Sequence, residues 1–195
     1  MLVLGSQLLN TSVMSLQTGT ELARVKTPII DPRTLTIVAY ELEGALLDQH
    51  PSLLRIADIR ELSDIGMIVD SSDEFIGVDD VIKLKETYEL HFPLVGLSVV
   101  DDKKHKLGKV EDYSVEMGGF VIQQLSVRRP IFKSLGDSEL LIHRSQIIQI
   151  NDTTVTVKSG ASEAQDPIPH AVKAYVNPFR QPGSAQPEAI QPDEN

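Results

Sequence analysis

The sequence predicts an all-β protein: two small β-barrels in tandem, joined by a short helical connector and followed by a largely disordered Pro-rich tail. Three observations carry that prediction. Apolar residues recur in short alternating runs, the period-2 pattern of half-buried strands. The runs recur along the chain at a nearly constant spacing, the mark of an internal repeat. The 195 residues are 41% hydrophobic, enough for a real core, yet include no Cys, which removes disulfide staples, thiolate catalysis and thiolate zinc sites together.

The elements follow in chain order, with residues 1–75 as the first unit. Thr11 to Leu16 reads as a strand, Gln17 to Gly19 as a turn, and Glu21 to Ile30 as the return. Asp31-Pro32-Arg33 turns the chain into Leu35 to Leu42, and Leu53 to Ile56, Ile59 to Leu62 and Gly66 to Val69 complete the unit. The connector, 76–93, reads as a helix through Asp79 to Leu90 or as a strand through Val81 to Lys85. As a helix, Asp79 or Asp80 would cap it, Val81, Leu84 and Tyr88 share one face, Glu86 opposes Lys83, and Pro93 stops it or starts the next strand.

The second unit, 94–160, repeats the plan. Ser98-Val99-Val100 leads into the polar turn Asp101 to Lys106, and Leu107 to Val115 returns. Glu116 to Gly119 turns again, its glycines free to take positive φ. Phe120 to Val127, Glu139 to Ile142, Ile147 to Ile150 and Thr153 to Val157 are the remaining strands. A shift of 85 sets Leu22-Ala23-Arg24-Val25 on Leu107-Gly108-Lys109-Val110, Ile37 on Ile122 and Tyr40 on Leu125. A shift of 88 sets Leu54 on Ile142, Ile59 on Ile147, Leu62 on Ile150 and Val69 on Val157, so three residues are inserted in the second copy, naturally at Pro130 to Gly136. Five or six strands of this length leave exposed edges as an open sheet, and closure into a barrel removes them. Residues 161–195 hold six of the eleven Pro, with only His170 to Phe179 apolar enough for one docked element.

Charge is uneven. The chain carries a net −10, but residues 1–75 hold 5 basic and 11 acidic side chains, whereas 94–160 hold 9 and 8. The acidic average disfavours a generic DNA or anionic-membrane binder. No run approaches the ~20 apolar residues of a membrane span, and the first residues lack the basic region of a secretory signal, so a soluble cytoplasmic protein without membrane insertion is expected.

Leu94-Val95-Gly96-Leu97-Ser98-Val99, the acidic turn after Val100, and Leu107-Gly108-Lys109-Val110 resemble the PRC-barrel family. That family includes the cytoplasmic part of the photosynthetic reaction-centre H subunit and the C-terminal half of the 30S ribosomal subunit maturation factor. The likeness runs across 94–158 and more weakly across 9–70, where Thr11 stands for Gly96 and Ala23 for Gly108. It implies tandem PRC-like barrels and a binding role, since neither relative's barrel is known as a catalyst. The maturation factor's N-terminal domain opens on a His-Gly pair that this chain lacks.

The site readings are accordingly sparse. His50, His91, His105, His143 and His170 form no metal-ligand spacing, and no phosphate-binding Gly loop or nucleophile elbow occurs. Asp101-Asp102 reads as turn chemistry and Asp79-Asp80 as capping. No enzyme, cofactor, metal or small-molecule substrate is expected. Lys103, Lys104 and Lys106, with His105 between, make the densest basic cluster, and Arg128 and Arg129 could extend it toward phosphate or an acidic protein surface. The plainer reading is a solvated turn. The expected function is a non-catalytic scaffold contacting another protein or its own kind; the alternative is a ribosome-maturation-like factor contacting ribosomal protein or rRNA.

Overall fold

The computed structural model describes residues 1–129 and 139–160 in full, and 175–176 as backbone. The fold is mostly β. The first residues form β1 (Leu2–Leu4) and the single-turn α1 (Gly5–Leu8). Then come β2 (Ser12–Ser15), β3 (Glu21–Asp31), β4 (Thr36–Glu43), β5 (Ser52–Arg55), β6 (Glu61–Ser63), β7 (Gly66–Val69) and β8 (Phe75–Gly77). Helix α2 (Ile82–Glu89) connects to β9 (Ser98–Asp101), β10 (Lys106–Glu116), β11 (Val121–Arg128), β12 (Glu139–His143), β13 (Ile147–Ile150) and β14 (Thr154–Val157). A last short strand is β15 (Tyr175–Val176).

One pairing pattern occurs twice. In the first half β2 lies antiparallel to β3, β3 to β4, and β4 to β5, while β2 runs parallel to β7 and β7 antiparallel to β6. In the second half β9, β10, β11, β12, β14 and β13 repeat those pairings in the same senses. β5 and β12 both pass into a 3-10 turn, Ile56–Asp58 and Arg144–Gln146. β3 and β10 are each 11 residues, beginning at Glu21 and Lys106; β7 and β14 are each 4, beginning at Gly66 and Thr154. The shifts of 85 and 88 read from apolar residues therefore match strand to strand.

The two halves meet across an approximate two-fold relation. Thr36 of β4 pairs with Val121 of β11, its equivalent at a shift of 85. The Ile37 N–H donates to the Phe120 carbonyl (2.9 Å), and reciprocally the Ile122 N–H donates to the Leu35 carbonyl (2.8 Å). Leu35 and Phe120 are themselves equivalent, and both take left-handed backbone, φ 50° and 51°. Side chains rarely accept that region. Here both are buried, and the Phe120 ring meets Tyr40 edge-on at 6.4 Å and 73°. One hydrophobic cluster runs through both halves, from Val3 and Val13 to Val155 and Val157.

The structure departs from expectation in particulars. The strands form one hydrogen-bonded path ending at β13 and β15, with β1, β12 and β5 (itself joined by β8) branching from it, so among the described residues pairing does not close a ring. The helix is not capped by Asp79 or Asp80: its N-cap is Val81, and Asp80 instead accepts the Gly77 N–H (2.6 Å), closing a 3-10 turn ahead of it. Lys85, rather than Lys83, makes the helix's ion pairs, with Asp79 at 2.7 Å and Glu89 at 4.0 Å. The helix ends before Pro93, at Glu89 with Leu90 as its C-cap, and the following His91 takes left-handed backbone (φ 46°) and donates its N–H to the Tyr88 carbonyl. Leu84, Val81 and Tyr88 do share the packed face, against Ile29, Ala39 and Leu53. The Pro130 to Gly136 insertion and the tail lie outside the described residues, except β15, whose backbone pairs antiparallel with Glu61 and Leu62 of β6.

Candidate functional site

The basic turn is built by Asp101, the last residue of β9. Its carboxylate accepts the N–H of Lys103 (2.9 Å) and of His105 (2.7 Å), and its other oxygen meets the His105 ring at 2.9 Å. The Lys104 N–H donates to the Asp101 carbonyl, with Lys104 at φ 66°. Burial pushes the Asp101 carboxyl up, but the bonds from His105 and Lys103 outweigh it and hold the pKa below the ordinary 3.8. The corresponding turn of the first half, Leu16 to Thr20, is one residue longer than the Asp102 to His105 turn and carries no charge. There Ser15 is the buried organiser, its hydroxyl accepting the Thr18 N–H (3.2 Å), and Gly19 takes φ 69°.

Lys103, Lys104 and Lys106 are exposed at this tip. Arg128 lies at the same end of the sheet: it pairs with Lys109, three residues along β10 from Lys106, about 10 Å away. Its guanidinium is engaged by Glu111, however, in a two-pronged ion pair. Arg129 is half-buried. The structure therefore brings the turn and Arg128 to one end but neutralises Arg128 on its own sheet.

Two features escaped the sequence reading. The first is a cleft of about 320 Å³ where the halves join, lined by α1, β3, the segment Phe92 to Val95, and β10. Its position depends on the N-terminus. β1 pairs with β10, the Ser6 N–H (3.1 Å) and hydroxyl (2.5 Å) both donate to the Asp112 carboxylate, and Gly5 lies so close to the Tyr113 ring that a Cβ would stand 2.4 Å from it. Leu9 and Val95 border this cleft at 44% and 50% exposure, and Lys26 is fixed on its wall by Glu41 at 2.7 Å.

The second is a contrast between equivalent edges. In the first half Arg60 forms an ion pair with Asp70, Nη2 to Oδ2 2.9 Å. A shift of 88 puts Ile148 in the place of Arg60 and Lys158 in that of Asp70. Ile148 is 52% exposed and Lys158 is exposed. Comparing the copies at polar positions, not only apolar ones, would have found the pair.

Among the described residues no group of three or more His, Asp or Glu is placed to hold a metal ion, and no helix is long and apolar enough to cross a membrane. No protein-family model matches the chain, and no curated protein sequence matches it.

Proposed function

We propose that this chain is a non-catalytic, protein-binding scaffold of the cytoplasm, made of two PRC-like barrel units in tandem. The barrel reading draws support from how the path curls. In each half the two end strands of the repeated pattern, β5 with β6 and β12 with β13, are consecutive in the chain and joined by a short 3-10 corner. Three residues separate β12 from β13, so the ends of that path lie within about 14 Å.

The observation that carries the binding reading is the apolar cleft at the join, with Leu9 and Val95 half exposed at its mouth. Apolar side chains gathered at a seam between packed units are where a partner side chain gains most by leaving water. The Arg128–Glu111 ion pair favours a protein partner over phosphate, because it uses the bidentate cation nearest the basic turn. A full-length bait and its Leu9→Glu/Val95→Glu variant, compared by quantitative capture from native lysate with and without ribonuclease, test the reading. A partner that is lost with the variant, kept after ribonuclease and rebuilt from purified components is expected. Equal capture by both baits, or capture that disappears with ribonuclease, contradicts it.

A further inference from the structure

We propose that the edge of β13 is a strand-addition site for an extended acidic peptide of a partner protein, one in which an apolar pair is followed by acidic residues. The inference rests on the scaffold reading and names a surface and partner chemistry for it. Its first support is the twin edge. β15 lies antiparallel on β6, Tyr175 opposite Leu62 and Val176 opposite Glu61. Leu62 and Glu61 are the equivalents of Ile150 and Gln149, and β6 and β13 hold the same register on their inner neighbours: Leu62 opposite Met67, Ile150 opposite Val155. Among the described residues β13 pairs with β14 alone. The fold thus shows, at an equivalent position, the backbone geometry that β13 can offer a strand.

The second support is charge. At the first edge Arg60 and Asp70 neutralise each other and the adjoining turn, Leu16 to Thr20, is uncharged. At the second edge Ile148 leaves an apolar surface, and Lys158 is joined by the Lys103 to Lys106 turn. Val157 pairs beside Asp101, and the Ser159 hydroxyl bonds the Asp102 carboxylate, so Lys158 and the turn share one rim. That rim also holds Asp101 and Asp102, and Asp101 is already occupied by its own turn. The direction of the ligand follows from β15. Moving toward the C-terminus of β15 is moving toward the N-terminus of β6. A strand set the same way on β13 places its apolar pair opposite Ile150 and Gln149. It passes Ile148 next and brings its C-terminal flank to Lys158 and the turn. Acidic residues after the apolar pair meet the cations; acidic residues before it do not.

The test uses the full chain and a labelled peptide, acetyl-Gly-Ala-Tyr-Val-Glu-Asp-Glu-amide. Its partner control is the peptide with the acidic block moved ahead of Tyr-Val. The double variant Ile148→Arg/Lys158→Asp installs the ion pair that the first half already carries, so folding is expected to survive, and far-ultraviolet circular dichroism verifies it. We expect saturable binding of the first peptide that weakens with salt, new hydrogen-exchange protection at 147–150, and at least tenfold weaker binding by the variant and by the control peptide. No binding at millimolar peptide, equal binding of both peptides, an unaffected variant, or preference for a uridine hexanucleotide overturns the proposal. Partner loss from the Leu9→Glu/Val95→Glu bait is read at the other surface, so this edge can fail while the scaffold reading stands.

Discussion

Replacing Phe120 separates two things that the structure asks of one residue. The ring is fully buried against Tyr40, and the backbone sits at φ 51°. Phe120→Ala deletes the ring and leaves a cavity, a loss of about 3–5 kcal/mol in a packed core. Alanine also keeps the cost of left-handed backbone, on the order of 1–2 kcal/mol. Glycine takes that φ freely, so Phe120→Gly is expected to be the more stable of the two by about 1 kcal/mol, reversing their order in a regular strand. Because one cluster joins both halves, the loss belongs to the whole molecule. Native-state hydrogen exchange reads it. Slow amides in β7 of the first half and β14 of the second should lose protection together, by a factor on the order of 10²–10³ for the alanine variant. Unchanged protection in β7 would refute the shared core, and an alanine variant as stable as the glycine one would refute the left-handed corner.

Other expectations follow from single residues. The Tyr40 hydroxyl is buried without a protein hydrogen-bond partner among the described residues, so Tyr40→Phe should leave urea stability unchanged or raise it by about 1 kcal/mol; a clear loss contradicts this. At Gly108 a Cβ would stand 2.1 Å from the Arg128 carbonyl oxygen, and Gly108→Ala should cost about 1–3 kcal/mol as β11 is pushed away. Urea midpoints that match wild type would show the approach is not tight. Asp101 has its pKa held below 3.8 in the fold, so the stability it contributes is complete above that ordinary value and is lost as pH falls through the folded value. Urea titrations from pH 6 to pH 2.5 should therefore show a shallower acid decline in Asp101→Asn than in wild type, and parallel curves would contradict the bonding of the turn.

Strand positions were legible where burial alternates along the strand, as in β2, β9 and β14, because that pattern writes itself into sequence. The duplication was legible for the same reason: Leu22, Val25 and Ile37 meet Leu107, Val110 and Ile122 at one shift because the same interior faces recur. The join was not. It depends on Leu35 and Phe120 taking a backbone that their residue types do not advertise, and on two hydrogen bonds between equivalent hairpins. β1 and α1 were missed because their place is set by distant groups, the Tyr113 ring and the Asp112 carboxylate. Counting cations found the basic turn but not the pairing of Arg128 with Glu111, which requires knowing that β10 and β11 are neighbours. Ile148 reads as one more strand residue until Arg60 is set beside it.

The scaffold account is tested most directly by titrating the protein retained by the full-length bait, once purified, against the wild-type chain and the Leu9→Glu/Val95→Glu variant in a calorimeter. The account predicts a saturable complex with wild type, a negative heat-capacity change from apolar burial, and affinity at least tenfold lower for the variant. Equal affinities, or heat that vanishes when nucleic acid is removed, would contradict it.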